Sequence, residues 1–456
     1  MKTVTIKHSW FSESGLRFDA SFHLSDGVNT KRIIEKYCPY PTTTLGNESA
    51  ELFKGNIHKR VYVTSPEHGH MFFTASDMFR ADIDSGKYIS KKYSPYLQEL
   101  KLKKDWILVT RSGTLGKVVY VTEDYDGKIG TDDLVRIKPA ENQIKRGYLY
   151  AYLSSKYGYG LLTQSGYGGV VKHIEPHHVE NIKVPILPEP KQQQIHNLIV
   201  KASKLRVEAN KLLKEAIEYF EEKIGETKVH LGYQTGKISS KALNTFHKRL
   251  DGQFQLLWKD LESEKKDELK YESLWSLVKT IFVGGRGKRL YTETGVPFLS
   301  SSDMMLFNPK RESKKVSKRT PGLNNMMVSK YDILISRSGT VGNTVLVGDD
   351  LAETAISEHA LRLVIDSEKI SPKYVFCFLK TKYGMKCMEA SSFGSVIITL
   401  NEDLIGNIDL PLLEDKHQEI INNKVELFLQ KMDEATLKEN QAINLIENEI
   451  EQWQES

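Results

Sequence analysis

Apolar positions fall into two kinds of pattern along the chain. Between residues 1 and 188, and again between 229 and 413, short apolar and β-branched runs alternate with Gly, Ser and Asp. Such runs read as strands punctuated by turns. The clearest are Trp106 to Thr110, Val118 to Thr122 and Val135 to Ile137 in the first stretch, with Ile333 to Ser336 and Val345 to Val347 in the second. A short helix is expected near Tyr148 to Tyr157 and another near Pro372 to Lys382. In the remaining segments the period lengthens. Ile195, Leu198, Ala202, Leu205, Ala209, Leu212 and Ala216 recur at spacings of 3 and 4, the stripe of a helix that stops near Gly225. Ile421, Val425, Phe428, Met432, Ala435, Ala442, Ile446 and Trp453 follow the same rhythm, with Glu439 and Glu449 as polar interruptions. Two helices of roughly 35–40 residues, each too apolar on one face to stand alone, should pair as a coiled coil. At 1.5 Å per residue the pair would span on the order of 50 Å.

The chain is an internal duplication. An offset of 226 aligns Arg111-Ser112-Gly113-Thr114-Leu115-Gly116 with Arg337-Ser338-Gly339-Thr340-Val341-Gly342. Between 105 and 185 it gives 23 identities in 81 gapless pairs, against roughly five expected from typical composition. Lys59-Arg60 with Tyr62 matches Lys288-Arg289 with Tyr291, and the segment 185–195 matches 411–420 across a one-residue gap that sets Ile195 on Ile420. Each half is therefore one globular domain and one helix. The expected fold is α/β: two pseudo-symmetric mixed α/β domains, 1–188 and 229–413, separated by an antiparallel pair of long helices, 189–228 and 414–456.

Composition narrows the class. The 456 residues are 39% hydrophobic and 27% charged, the first ten hold no apolar run or small-residue cleavage site, no run is long enough to span a membrane, so secretion is not expected, and Cys38, Cys377 and Cys387 show no C-x-x-C spacing. A reducing cytoplasm, no membrane and no thiolate metal site are expected. The net charge of +5 divides unevenly: +6 for 1–188, +1 for 189–228, +5 for 229–413 and −7 for 414–456. A polyanion should meet the two basic blocks.

The R-S-G-T-[LV]-G element sits between two apolar strands, so its glycines supply a tight loop with Arg at the shoulder. Two readings remain open: a hairpin whose Arg makes an ion pair, or a loop offering Arg, Ser and backbone N–H groups to phosphate and base edges. Gly55 to Arg60 and Gly284 to Arg289 pair glycine with cations, but neither has Walker A spacing. The aromatic at Tyr167 and Phe393 reads as core packing, and the basic run 310–319 as a solvated loop. His68, His70, His177 and His178 do not recur in the other half, which argues against a metal site. The acidic pair Asp132-Asp133 becomes Glu358-His359, which breaks any nuclease pattern, and no amino-methyltransferase tetrapeptide occurs. The chain reads as a binder without chemistry of its own.

The order of domain, helix, domain, helix, the duplicated strand–R-S-G-T-[LV]-G–strand element and the Asn-Ile-x-[VL]-Pro-[IL]-Leu segments at 181–187 and 407–413 resemble the specificity subunit of type I restriction-modification systems. The resemblance implies two target-recognition domains, each reading half of a split, asymmetric double-stranded DNA sequence, and helices that set the unread spacer. It implies two methyltransferase (modification) subunits and restriction/translocase subunits as partners, with S-adenosylmethionine, ATP and Mg held there and no cofactor on this chain. The candidate DNA-binding residues are Lys59, Arg60, Arg111, Ser112 and Lys117 in the first domain and Lys288, Arg289, Arg337, Ser338 and Asn343 in the second. Two alternatives are a non-catalytic scaffold or RNA-binding protein with duplicated domains, and a nuclease.

Overall fold

The structure, a computed structural model, describes residues 5–6, 8, 23–64, 66–84, 86–94, 97–164, 173–227, 237, 252–311, 313–338, 341–394 and 398–454. It divides into two compact units, one of residues 1–207 with 434–456 and the other of 208–433. The division falls inside the long helices, so each unit holds one globular domain and one half of each helix.

In the first unit α1 (Asp26–Tyr37), capped by Ser25, precedes β1 (Thr42–Thr44), β2 (Ser49–Lys54), β3 (Tyr62–Val63), β4 (Gly69–Phe73) and β5 (Tyr88–Ser90). The chain continues through β6 (Ile107–Thr110), β7 (Val118–Tyr120), β8 (Ile129–Gly130) and β9 (Leu134–Pro139) to α2 (Arg146–Ser154), α3 (Lys156–Gln164) and β10 (Lys183–Pro185). The helix α4 (Glu189–Ile224) follows. The sheets are β2-β9-β6-β7, wholly antiparallel, a smaller β3-β5-β4-β8 with β4 and β8 parallel, and the pair β1-β10.

The second unit repeats this order. After α5 (Gly252–Glu264) come β11 (Lys270–Ser273), β12 (Val278–Val283), β13 (Tyr291–Thr292), β14 (Val296–Leu299), β15 (Lys314–Val316), β16 (Ile333–Ser336), β17 (Thr344–Leu346), β18 (Ala355–Ile356) and β19 (Ala360–Ile365). Then α6 (Pro372–Lys380), α7 (Lys382–Ala390), β20 (Asp409–Leu412) and α8 (Asp415–Gln452) complete it. The sheets are β12-β19-β16-β17, β13-β15-β14-β18 and β11-β20. Every strand of the second unit pairs as the strand ten before it pairs in the first. The duplication seen in the sequence is thus a duplication of topology.

The four residues of β6, and likewise of β16, are all buried, because the larger sheet is covered on both faces. In the second unit Ile333 and Ile335 join the cluster that holds α6 and the helix halves, whereas Leu334 joins Leu299, Met304 and Met305 on the opposite face. Burying each such side chain contributes about 1.5–3 kcal/mol. Arg136 of β9 is fully buried and donates to the carbonyls of Gly130, Thr131 and Leu134 at 3.0–3.2 Å, and Arg362 of β19 donates to Met326 and Met327. Burial pulls the Arg136 guanidinium down to about 10. These two arginines take the place of an apolar core residue, Arg136 joining the end of β8 and residue 131 to the start of β9 and Arg362 holding residues 326–327 to β19.

The single helices expected at Tyr148 to Tyr157 and Pro372 to Lys382 are each two helices. Ser155 and Thr381 leave the helical conformation, and their hydroxyls accept from the N–H of Gly158 and Gly384 at 3.1 and 3.0 Å. A Cβ on either glycine would lie 2.1 Å from the carbonyl oxygen of Tyr152 or Phe378, so the Lys-Tyr-Gly repeats mark a sharp break. The basic run 310–319 is not a loop throughout. Lys314–Val316 is the middle strand between β13 and β14, anchored by the fully buried Val316. Phe393 is 39% exposed rather than core, since its backbone pairs with Thr399 and turns the ring outward. Tyr167 lies outside the described residues.

Within each unit the helix halves run antiparallel. In the first, Lys191 meets Glu449 at 2.5 Å and Arg206 meets Glu439 at 2.8 Å. In the second, Glu215 meets Lys424 and Glu208 meets Lys431, both at 2.5 Å. The buried stripe contains Ile199 and Leu213 where Leu198 and Leu212 were expected, and Met432 is only partly buried. Each half touches a domain as well as a helix, so its inward face is wider than a strict seam. The one-residue gap also disappears: Gln192 donates to the Leu187 carbonyl and Gln418 to that of Leu413, which keeps the offset at 226 and pairs Ile195 with buried Ile421. Ile420 is 40% exposed.

Candidate nucleic-acid interface

The described ends of the R-S-G-T-[LV]-G loop are held by the same backbone hydrogen bonds in both units. Gly116 N–H donates to the Thr110 carbonyl at 3.0 Å and Gly342 N–H to that of Ser336 at 3.1 Å. Both glycines have positive φ, +79° and +87°, which L side chains rarely adopt. The hydroxyls of Thr110 and Ser336 accept from the N–H of Lys117 and Asn343 at 2.9 and 3.1 Å. The carbonyls of Arg111 and Arg337 accept from Ile174 and Leu400. Gly339 lies outside the described residues.

The side chains differ. Arg111, 15% exposed, is paired with Glu175 and with Asp133, the latter at 3.3 Å. Ser112 donates to Asp133, and Lys54 reaches Glu175 at 3.0 Å. Burial works to raise the Glu175 carboxyl, but the hydrogen bonds and charges of Arg111 and Lys54 outweigh it and hold the group below the ordinary carboxylate range. Glu175 also caps the helical turn Pro176–Val179, just as Asn401 caps Glu402–Gly406. At offset 226, Asp133 and Glu175 become His359 and Asn401, neither of which offers a carboxylate. Arg337 donates its Nε to the Leu400 carbonyl at 2.9 Å and has no carboxylate within ion-pair distance among the described residues. Ser338 is bridged through its backbone to Thr399.

A second constellation is shared by both smaller sheets. Arg60 is paired with Asp132, donates to Thr131 and lies 5.4 Å from the centroid of Phe72, whose ring meets Tyr62 edge-on at 6.1 Å. Arg289 is paired with Glu358 and lies 4.8 Å from the centroid of Phe298, which Tyr291 meets edge-on at 6.2 Å. Tyr62 and Tyr291 are each 52% exposed. Lys59 and Lys288 are exposed beside them, and Lys314 sits 5.5 Å from the Tyr291 ring. Lys117 lies apart, 5.8 Å from Phe79, and Asn343 is half-buried beneath its loop.

The expected residues therefore gather into two kinds of place, a Gly-turned loop and an aromatic-backed cation on the smaller sheet. Sequence reasoning missed the carboxylates that pair with the cations, Asp132, Asp133, Glu175 and Glu358. Their trace was present in the offset, where Asp132 and Glu358 agree in charge while Asp133 and Glu175 do not recur. No group of three or more potential metal ligands forms among the described residues, and no helix among them is long and apolar enough to cross a membrane.

Residues 48–219 match the family model described as the type I restriction modification DNA specificity domain. No curated protein matches the sequence. Among solved structures, the S subunit of a type I restriction-modification system from M. genitalium is 16% identical with a TM-score of 0.36, covering 91% of this chain and 96% of that one. The HsdS subunit from Thermoanaerobacter tengcongensis is 13% identical with a TM-score of 0.29, over 91% and 96%. A chain from a study of complex assembly and conformational transition of the type I R-M system is 14% identical with a TM-score of 0.30, over 92% and 98%.

Proposed function

From a chain that carries a type I restriction-modification DNA specificity domain at residues 48–219, we infer the DNA-recognition subunit of a type I restriction-modification complex. The observation that carries this reading is the repetition of that domain's strand order in the second unit, around the same exposed tyrosines and glycine-rich cationic loops. A protein with two such domains of unlike side chains suits a split target whose halves differ. Arg337 and Ser338, Lys59 and Lys288 supply cations and hydroxyls of the kind that contact phosphates and base edges, and Tyr62 and Tyr291 add exposed rings. Arg111 is suited to a different task. With two carboxylates on its guanidinium it positions the first loop, leaving contact with DNA to neighbouring groups.

Specificity proteins of this family supply no chemistry. Adenine-N6 methylation and ATP-driven restriction would belong to the modification and restriction subunits, and S-adenosylmethionine, ATP and Mg with them. The long helices α4 and α8 are our choice for the device that sets the unread spacer. Inserting seven residues at matched points in both would lengthen the pair by about 10 Å, the rise of about three base pairs, and the recognised spacer should grow accordingly.

The decisive experiment is a genome-wide map of N6-methyladenine in the source cell with the gene intact and deleted. Loss of methylation at one split motif with a fixed spacer is expected. An unchanged map in cells with an active modification subunit would overturn the reading in favour of a scaffold.

A further inference from the structure

The two units are built on one plan, yet one layer of the helix pair breaks the likeness. In the first unit Arg206 of α4 and Glu439 of α8 form an ion pair with side chains 12% and 2% exposed, and the Tyr150 hydroxyl donates to the same carboxylate at 2.5 Å. At offset 226 the corresponding residues of the second unit are Met432, Leu213 and Phe376. All three belong to or pack against its apolar core. The layers around it are alike in both units: Ile195 and Ile421, Ala209 and Ala435, and Ala216 and Ala442 are all buried.

A duplicated chain faces an assembly problem that a unique one does not. The helix of the first half could pair with the first half of a second copy, because the surrounding layers fit either way. In such a homotypic pair Leu213 of the second copy would take the place of Glu439, and Arg206 would lose its carboxylate inside an apolar layer. A homotypic pair of second halves would put Glu439 in the place of Leu213, against Met432 and Phe376 with no cation. A buried charge deprived of its partner is strongly unfavourable, whereas a matched apolar layer is not. A single polar layer in a helical seam is a well-attested way of fixing partner and register. A second contact has the same sense. Lys191 meets Glu449, which also accepts from Tyr40 at 3.0 Å. In a homotypic first-half pair Lys223 would replace Glu449 and oppose Lys191.

We propose that the Arg206–Glu439–Tyr150 layer is a pairing code, admitting the first-half helix against the second-half helix and rejecting a second copy of either half. The cost falls only on wrong pairings.

The two homotypic layers can be recreated inside the intact chain. Glu439→Leu copies the first, and Leu213→Glu copies the second. Each should lower the guanidinium unfolding midpoint of the full-length protein, and the triple variant R206M/Y150F/E439L, which copies the native second-unit layer, should recover the wild-type midpoint or exceed it. A layer that merely fills space would not be rescued by removing more polar atoms. Wild-type stability of Glu439→Leu, or a triple variant as weak as Glu439→Leu, would overturn the proposal. A second measurement needs no core substitution. A protease site placed after Glu226 in the full chain, cleaved after folding, should yield only 1:1 pairs of first and second halves by native mass spectrometry when differently labelled samples are mixed. Homotypic pairs from the wild-type sequence would refute the code.

Discussion

Arg111 and Arg337 occupy the same position of the same loop, on the same backbone hydrogen bonds, and do different things. Arg111 is half-buried and paired with both Asp133 and Glu175, so the cation holds its loop against the turn at Pro176–Val179. In the second unit His359 and Asn401 stand at those positions, and Arg337 is bound through one nitrogen to a carbonyl. The difference teaches that a repeated motif carries its shape from copy to copy, whereas its chemistry depends on residues tens of positions away. A buried ion pair is costly to break from one side. A guanidinium with only a carbonyl partner keeps donors for a phosphate or a base edge.

The largest expected effect is on stability. Arg111→Ala should cost about 2–4 kcal/mol, because it leaves Glu175 and Asp133 without their cation, while Arg337→Ala should cost about 1 kcal/mol or less, the worth of one hydrogen bond. Denaturant unfolding of the two variants checks this, and equal losses would erase the comparison. For DNA the order should reverse. Arg337→Ala should weaken its half-site about tenfold, near 1.4 kcal/mol, and a phosphate contact would lower the slope of log affinity against log salt by about one.

Transplanting the clamp sharpens the comparison further. The double variant H359D/N401E should draw Arg337 into an ion pair and lower affinity for that half-site by up to about tenfold, with the other half-site unaffected in a binding titration. Undiminished binding would show that the carboxylates do not decide the cation's availability.

Acid should separate the two loops more gently. Glu175 titrates below its ordinary value in the folded chain, so its contribution is complete above that ordinary value and disappears as pH falls through the lowered one. Asn401 has no such titration. Amide exchange at the first loop should therefore rise before that at the second as pH drops from about 5, and Glu175→Gln should abolish the acid step. The smallest effects belong to the constellation both units share. Arg60→Ala and Arg289→Ala should each cost only about 0.5–1.5 kcal/mol for a partly exposed pair over a ring, and a large inequality between them would show that the smaller sheets are less alike than their geometry.

Much of the architecture was legible because it rests on periodicity. The helix end near Gly225, the strand Ile333–Ser336 and the duplicated order of elements follow from patterns of apolar residues and from the offset of 226. Details that depend on a neighbour were less legible. The helix expected as one piece at Tyr148 to Tyr157 breaks at Ser155, where a hydroxyl outcompetes the helical carbonyl for an N–H. Lysines 314 and 315 look like a solvated loop, yet the strand forms because Val316 is buried against its sheet. At the loops, the cations were visible and their carboxylates were not, since Glu175 lies 64 residues from Arg111.

The sequence by itself determined the duplication, the strand-rich halves, the two long helices and the loop that turns on Gly116 and Gly342, because these depend on local dihedrals and on the spacing of apolar side chains. Only the tertiary structure decided which cations are spent on carboxylates and which remain for a ligand. It also decided that Glu439, an interruption in an apolar stripe, is the buried partner of Arg206. Electrostatic roles are set by distances between residues far apart in the chain, and those distances exist only once the sheets and helices have packed.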